Sequence, residues 1–331
     1  MDDSVPLRVA AHEYGIKLDR LRRAAWQGRL QARQLGNQWL VTRPEVERFL
    51  RDGGREPDSA SGSIQPERTT RARVIAVAVP KGGTGKTTTT LNLGAAMAEQ
   101  GRRVLLVDLD PQGSLSLALG IRPQEVEHTI YSALKYFLST YESQIETAIQ
   151  PTGAGVDLIP SNIRLNVANA ELTIAPQGEL ILQKLLAPVL SHYDTILIDT
   201  LPYLGILVLN ALVAAQSVLI PLETEYLATE SVTLMLEQIQ FMRRSGLNPD
   251  LSIAGILLTQ TDNRTVMGRQ VAEYARREFG TRVPVFETSI KRSVRFPESQ
   301  AVGKSILQYE PAGEGARAYR ALAKEVWNAP R

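Results

Sequence analysis

Val74-Ile75-Ala76-Val77-Ala78-Val79-Pro80-Lys81-Gly82-Gly83-Thr84-Gly85-Lys86-Thr87-Thr88-Thr89-Thr90 decides how the rest of the chain must fold. Six apolar residues run up to Pro80, a length and composition that fit a buried strand. The glycine-rich loop after it opens onto a stretch that predicts a helix as far as Gln100. Glycines let the backbone curl until successive N–H groups point at one anion. A helix N-terminus behind them adds roughly half a positive charge. Gly82, Gly83, Thr84, Gly85, Lys86, Thr87 and Thr88 are therefore expected to cradle the phosphates of a nucleotide. Lys86 is placed to reach the β- and γ-phosphates, and the Thr87 hydroxyl to hold Mg²⁺. A Gly/Thr-rich turn with incidental lysines is the plainer reading, but the strand before and the helix after argue against it.

Pro80 stands at the usual first glycine of such a loop, and an extra lysine, Lys81, follows it. That side chain has no duty in its own cradle. A cation there can instead stabilise charge on a nucleotide held by a second subunit. The alternative is a solvated surface lysine.

Two further strand-like runs end in carboxylates. Val104 to Val107 leads into Asp108-Leu109-Asp110-Pro111-Gln112-Gly113, and Tyr193 to Ile198 leads into Asp199. Ligands of open parallel sheets bind beyond the carboxyl ends of the strands, so these acids should face the phosphates. Asp108 and Asp199 are expected near Mg²⁺, and Asp110 is the candidate to orient or deprotonate the attacking water. Further strands are predicted at 218–221, 253–259 and 283–286, with helices at 228–244 and 266–279 between them. The pattern predicts an α/β P-loop fold with a mainly parallel sheet flanked by helices. Residues 121–190 read as mostly helical with one short strand near 156–160, and no chemistry is assigned there; His128 and His192 read as structural.

Of the 331 residues, 44% are hydrophobic and 22% charged, an ordinary globular composition long enough for two domains. With no cysteine, disulfides and thiolate metal sites are excluded. The net charge of +2 is unevenly spread: residues 1–73 carry 14 Lys/Arg against 10 Asp/Glu, and residues 243–304 carry 11 against 6. Two basic zones on a near-neutral chain point to contacts with a polyanion.

The first zone reads as a unit of its own. A short helix ends near Tyr14-Gly15, a second runs from Leu18 to Gln27, Gly36-Asn37 marks a hairpin, and Pro44 opens a closing helix through Leu50. Leu18, Leu21, Trp26, Leu30, Trp39 and Phe49 are its expected core, and Arg20, Arg23, Arg33 and Asn37 its candidate DNA contacts. The stretch GRLQARQLGNQWLVTRPEVERFL resembles the excisionase-type winged helix-turn-helix family. Residues 1–52 are thus expected to be a winged helix-turn-helix domain, 53–73 a flexible linker rich in Gly, Ser, Pro and charge, and 74–331 the nucleotide-binding domain.

PKGGTGKTTT, VDLDPQG, ILIDTLPYLGILVLNAL and GKSILQYEPAGEGARAYRALAKEV, in that order, resemble the ParA/Soj partition ATPases of the deviant Walker A group, which also holds MinD-type proteins. The resemblance implies an ATP- and Mg²⁺-dependent sandwich homodimer. Lys81 would reach the partner's nucleotide, Lys86 and Thr87 would serve their own, and Asp110 would assist hydrolysis. It also implies binding of DNA without sequence preference and hydrolysis triggered by a ParB-type protein, in the cytoplasm on the nucleoid. The segment from Ile290 to Arg295 matches the family's DNA-contacting region, so Lys291, Arg292 and Arg295 are candidates, with Arg264 and Arg269 beside them. Pro80, Thr84 and Leu201 depart from the family's usual residues. Residues 321–331 carry no long amphipathic extension, so DNA and not a membrane is the expected surface. A nucleotide-gated transcriptional regulator and a positioning ATPase for a protein cargo are the alternative readings.

Overall fold

The computed structural model describes residues 4–16, 21, 24–25, 30–35, 38–51, 71–224, 228–262 and 266–329. The chain divides into two compact units, Met1–Arg68 and Thr69–Arg331. The expected linker lies almost wholly outside the described residues.

In the small unit, strands β1 (Ser4–Pro6), β2 (Ala32–Leu35) and β3 (Gln38–Thr42) form an antiparallel sheet in the order β1-β3-β2. Arg33 lies opposite Leu40 in the hairpin, with its side chain exposed. Helix α1 (Leu7–Glu13) stops at Gly15, whose φ of 62° is a left-handed turn that glycine takes without strain. Helix α2 (Arg43–Arg51) has Pro44 in its first turn, where a missing N–H costs nothing. Leu7, Ala10, Leu21, Leu30, Val41, Val46 and Phe49 form its core, while Trp39 is half-buried. An Arg43–Glu13 ion pair at 2.8 Å joins the two helices. Leu21, Ala24 and Ala25 are buried, but most of the expected second helix, including Leu18, Arg20, Arg23 and Trp26, lies outside the described residues, as does Asn37.

The large unit is built on an eight-stranded sheet in the order β11-β10-β9-β4-β8-β5-β7-β6. Its central strands are β4 (Arg73–Val77), β5 (Val104–Asp108), β8 (Thr195–Asp199) and β9 (Ser217–Glu223). Outside them lie β10 (Ser252–Thr261) and β11 (Val285–Lys291) at one edge, and β7 (Asp157–Ile159) and β6 (Gln150–Pro151) at the other. All pairs are parallel except β6 with β7, a two-residue antiparallel edge that the sequence pattern does not predict.

Every residue of β4, β5 and β8 is buried, because helices cover both faces and continuous apolar runs suit both. Alternate residues serve opposite layers: Val74, Ala76, Leu105, Val107, Ile196 and Ile198 pack on one side. Ile75, Val77, Val104, Leu106 and Leu197 pack on the other. Each buried Val, Leu or Ile side chain contributes about 1.5–3 kcal/mol relative to exposure.

Helix α3 (Lys86–Glu99) follows Gly85, which is left-handed at φ 83°. Its threonine-rich first turns are poor helix formers. They are steadied by Thr90 Oγ1 donating to the Lys86 carbonyl at 3.0 Å and by the last helices of the chain. Ile306 N–H donates to Asn92 Oδ1 at 2.7 Å, Gln300 Nε2 to Thr88 Oγ1 at 3.0 Å, and Tyr319 lies 3.4 Å from the Thr89 hydroxyl. Tyr319 belongs to the helix Glu314–Asn328, which runs along α3. Arg73, at the start of β4, donates to the carbonyls of Val326 (2.6 Å) and Ala329 (3.4 Å) at the end of that helix.

Leu106 is fully buried against α3. Leu106→Ala should cost about 2–5 kcal/mol in urea unfolding of the full chain followed by far-UV circular dichroism. A change under about 0.5 kcal/mol, the range of surface substitutions, would show that this layer does not carry the unit.

Candidate active site

Strand order brings three loops together. β8 lies between β4 and β5, so the loop after β4 and the carboxylates ending β5 and β8 share one edge of the sheet. Asp108 and Asp199 are direct cross-strand partners at that edge. The crossover from β4 passes over β8 to β5, and such a switch in strand order opens a crevice for ligands.

The glycine loop meets this edge with its donors unused. The backbone N–H groups of the seven residues Gly82 to Thr88 donate to no protein acceptor among the described residues. Successive N–H groups on one curled loop with no protein acceptor, open to solvent at Gly82 and Gly83 and buried at Thr84 and Lys86, form a cradle for an anion. Lys86 is 7% exposed, and its ammonium donates to the carbonyls of Lys81 (2.6 Å) and Val79 (3.4 Å). Burial lowers its pKa, and the nearby Asp199 and Asp110 carboxylates oppose that.

Behind the cradle lies negative charge. Asp199 is fully buried, with Thr87 Oγ1 donating to it at 2.7 Å and Thr90 Oγ1 at 3.4 Å. Its pKa is pushed up to about 8, first by burial and then by the charge of Asp108, with Thr87 and Lys86 pulling the other way. Asp108 is also fully buried and accepts from Ser116 Oγ (2.7 Å), Ser116 N–H (2.9 Å) and Asp110 N–H (3.2 Å). Burial raises it to about 6 against those bonds. Asp110 is only partly buried and receives the Gln112 N–H at 2.9 Å. A partly exposed carboxylate at this strand end is the kind of group that can orient or deprotonate a water.

These residues fit a nucleotide with Mg²⁺. Among the described residues no cluster of three His, Asp or Glu makes a metal site alone. Mg²⁺ keeps several waters and is held by one or two protein groups plus phosphate oxygens, which suits Thr87 with Asp108 and Asp199 behind it. When bound, the metal neutralises charge on the phosphates.

The structure brings Lys81, the seven loop residues, Asp108, Asp110 and Asp199 to one place. It adds groups that no motif marks. Glu223, at the end of β9, lies 3.5 Å from Lys81 Nζ. Thr259 and Gln260, at the end of β10, donate to loop carbonyls.

The DNA candidates lie elsewhere. Lys291, Arg292 and Arg295 are exposed at and after the end of β11. Lys291 is paired with Glu314, and Arg295 with Glu298 at 2.9 Å and Glu310 at 3.9 Å. Arg292 makes no ion pair among the described residues. Arg264 lies outside the described residues, as does the side chain of Arg269.

A carboxylate whose pKa rises on folding makes stability fall as pH climbs from its unfolded to its folded value. Nucleotide-free, Mg²⁺-free protein should therefore lose thermal stability between about pH 4 and about pH 8, Asp199 contributing most. Asp199→Asn should flatten that slope, as should saturating Mg²⁺-ATP for the natural chain. Equal slopes for the variant and the natural chain would show that Asp199 is ionised in the apo fold.

The family model described as AAA domain (AAA_31) matches residues 72–253. The sporulation initiation inhibitor protein Soj of Bacillus subtilis is 42% identical over 77% of this chain and 98% of its own length. The chromosome partitioning protein ParA of Myxococcus xanthus is 41% identical over 78% of this chain and 88% of its own. Among solved structures, cobyrinic acid a,c-diamide synthase from Mycobacterium smegmatis with bound ATP analog and magnesium is 37% identical. It superposes with a TM-score of 0.64 over 76% of this chain and 93% of that one. With partition-named and ATP-analog-bound relatives matched over most of their own length, the chain belongs to the AAA_31 family of AAA domains as a ParA-type P-loop ATPase that uses ATP and Mg²⁺.

Proposed function

We propose that this chain is a DNA partition ATPase. It dimerises on ATP, holds DNA without sequence preference, and lets go on hydrolysis stimulated by a ParB-type partner. The observation that carries the reading is the placement of Lys81. Its carbonyl receives Lys86, while its ammonium turns to Glu223 at the crevice rim, 27% exposed. A cation on the rim serves a second copy better than its own phosphates.

Other features support a second copy there. Leu117, Ile163, Val167, Tyr203 and Leu204, all on segments that follow β5, β7 and β8, expose 41–61% of their surface. Apolar side chains gathered on the ligand edge of a sheet are suited to burial between protomers. In the nucleotide-free chain Glu223 holds Lys81, and dimerisation exchanges that carboxylate for the partner's phosphates.

The Myxococcus relative named for chromosome partitioning is 41% identical, against 37% for the mycobacterial neighbour named as a synthase, which favours partition. The expected cytoplasmic, nucleoid-bound location goes with that reading; among the described residues no helix is long and apolar enough to cross a membrane. For the DNA surface, Arg292 is the strongest candidate, since Lys291 and Arg295 already have acidic partners. The small unit, with exposed Arg33 on its hairpin, adds a sequence-specific contact of the winged helix-turn-helix kind.

Lys81→Ala should keep ATP binding but lose the ATP-dependent dimer in analytical ultracentrifugation, together with stimulated turnover; unaltered turnover would remove the trans role. Glu223→Gln should shift dimerisation to lower ATP concentration, and no shift would mean that this carboxylate does not restrain Lys81. Binding of random DNA should require ATP and weaken steeply with salt, and Arg292→Ala should lower the log–log salt slope by about 1. An unchanged slope excludes Arg292 from the interface. ATP-independent binding to one operator with negligible turnover would instead favour a transcriptional regulator.

A further inference from the structure

Two consecutive side chains at the end of β10 reach two consecutive carbonyls of the phosphate loop. Thr259 Oγ1 donates to the Thr84 carbonyl at 2.8 Å, and Gln260 Nε2 donates to the Gly83 carbonyl. In a regular strand neighbouring side chains point to opposite faces, so 259 and 260 could not serve the same loop. Here they do, because Gln260 has φ 51°, a left-handed conformation that non-glycine residues rarely adopt. The pairing of β10 with β11 breaks register between Leu258 and Thr261, at this residue. On the other side the Thr224 hydroxyl donates to the Gln260 carbonyl at 3.4 Å, and the Thr224 N–H to the Thr259 carbonyl at 3.3 Å. The kink is held from both sides.

We propose that Thr259 and Gln260 are positioning residues for the ATPase reaction, acting by fixing two peptide planes of the phosphate loop. Among the described residues no peptide bond is cis, and in a trans peptide the C=O and the following N–H point in opposite directions. Pinning the Gly83 carbonyl toward β10 therefore turns the Thr84 N–H the other way, into the cradle. Pinning the Thr84 carbonyl does the same for the Gly85 N–H. Both amides are among those without a protein acceptor. Gly83 and Gly85 flank these planes at φ 77° and 83°, so without the clamp each plane is free to flip at little cost. Thr259, 2% exposed, also lies 3.9 Å from where a Cβ on Gly85 would be, which leaves the loop no room to shift as a body toward the strand. Thr84 Oγ1 is buried without a partner, so the strand grips the loop by its backbone and not by that hydroxyl.

The test is binding of Mg²⁺-ADP by the full chain, measured calorimetrically for Gln260→Gly, Thr259→Val and Thr259→Ser. Gln260→Gly relieves the left-handed backbone and deletes the amide. Its nucleotide-free melting temperature should hold or rise, while Kd for ADP weakens about fivefold, the worth of one hydrogen bond. Thr259→Val should weaken Kd similarly, and Thr259→Ser, which keeps the donor, should restore it. In ATP turnover the loss should fall on KM far more than on kcat. Natural affinity in Gln260→Gly, or a lowered melting temperature with Kd unchanged, would overturn the proposal. If Thr259→Val fails to fold, the Gln260→Gly and Thr259→Ser affinities still decide it.

Discussion

Two opposite electrostatic debts sit side by side at the carboxyl edge of this sheet. Seven loop amides lack an acceptor, and two fully buried carboxylates lie on adjacent strands with too little positive charge near them. The carboxylates are costly alone, because unpaired buried charge costs free energy, and the amides lie where only an anion satisfies them together. A phosphate answers the first and a divalent cation the second, so the ligand that satisfies both is a metal–phosphate complex. Lys86 is the partial stand-in, sharing its ammonium between backbone carbonyls and the field of Asp199 and Asp110.

The rest of the large unit maintains that juxtaposition. β4, β5 and β8 are buried on both faces, so their ends cannot slide without exposing a core layer. α3 is held from behind by Asn92, Thr88 and Thr89 through the last helices of the chain. Ser116 fixes Asp108 from the helix that follows it.

What the sequence discloses about this arrangement follows from how local the signals are. The glycine loop, the apolar strands and their terminal aspartates each lie within a dozen residues and need only periodicity and turn chemistry to be seen. Glu223, Thr259 and Gln260 reach the loop from distant positions on neighbouring strands, and a kink at a glutamine has no compositional mark. The basic zone at 243–304 overstates the free positive charge, because Glu310 and Glu314 lie beyond it in sequence yet pair with Arg295 and Lys291. The two-residue β6 is too short for any pattern to show.

Arg73 ties the first strand of the large unit to the carbonyls that end its last described helix. Strand β4 leads directly into the phosphate loop and that helix rests on α3, so this tie, at the sheet edge opposite the nucleotide, joins the two elements that frame the loop. A pull entering at residue 71 is resisted by parallel strands in shear and by this guanidinium, not by the loop. Removing the final turn would strand a buried cation at the root of β4.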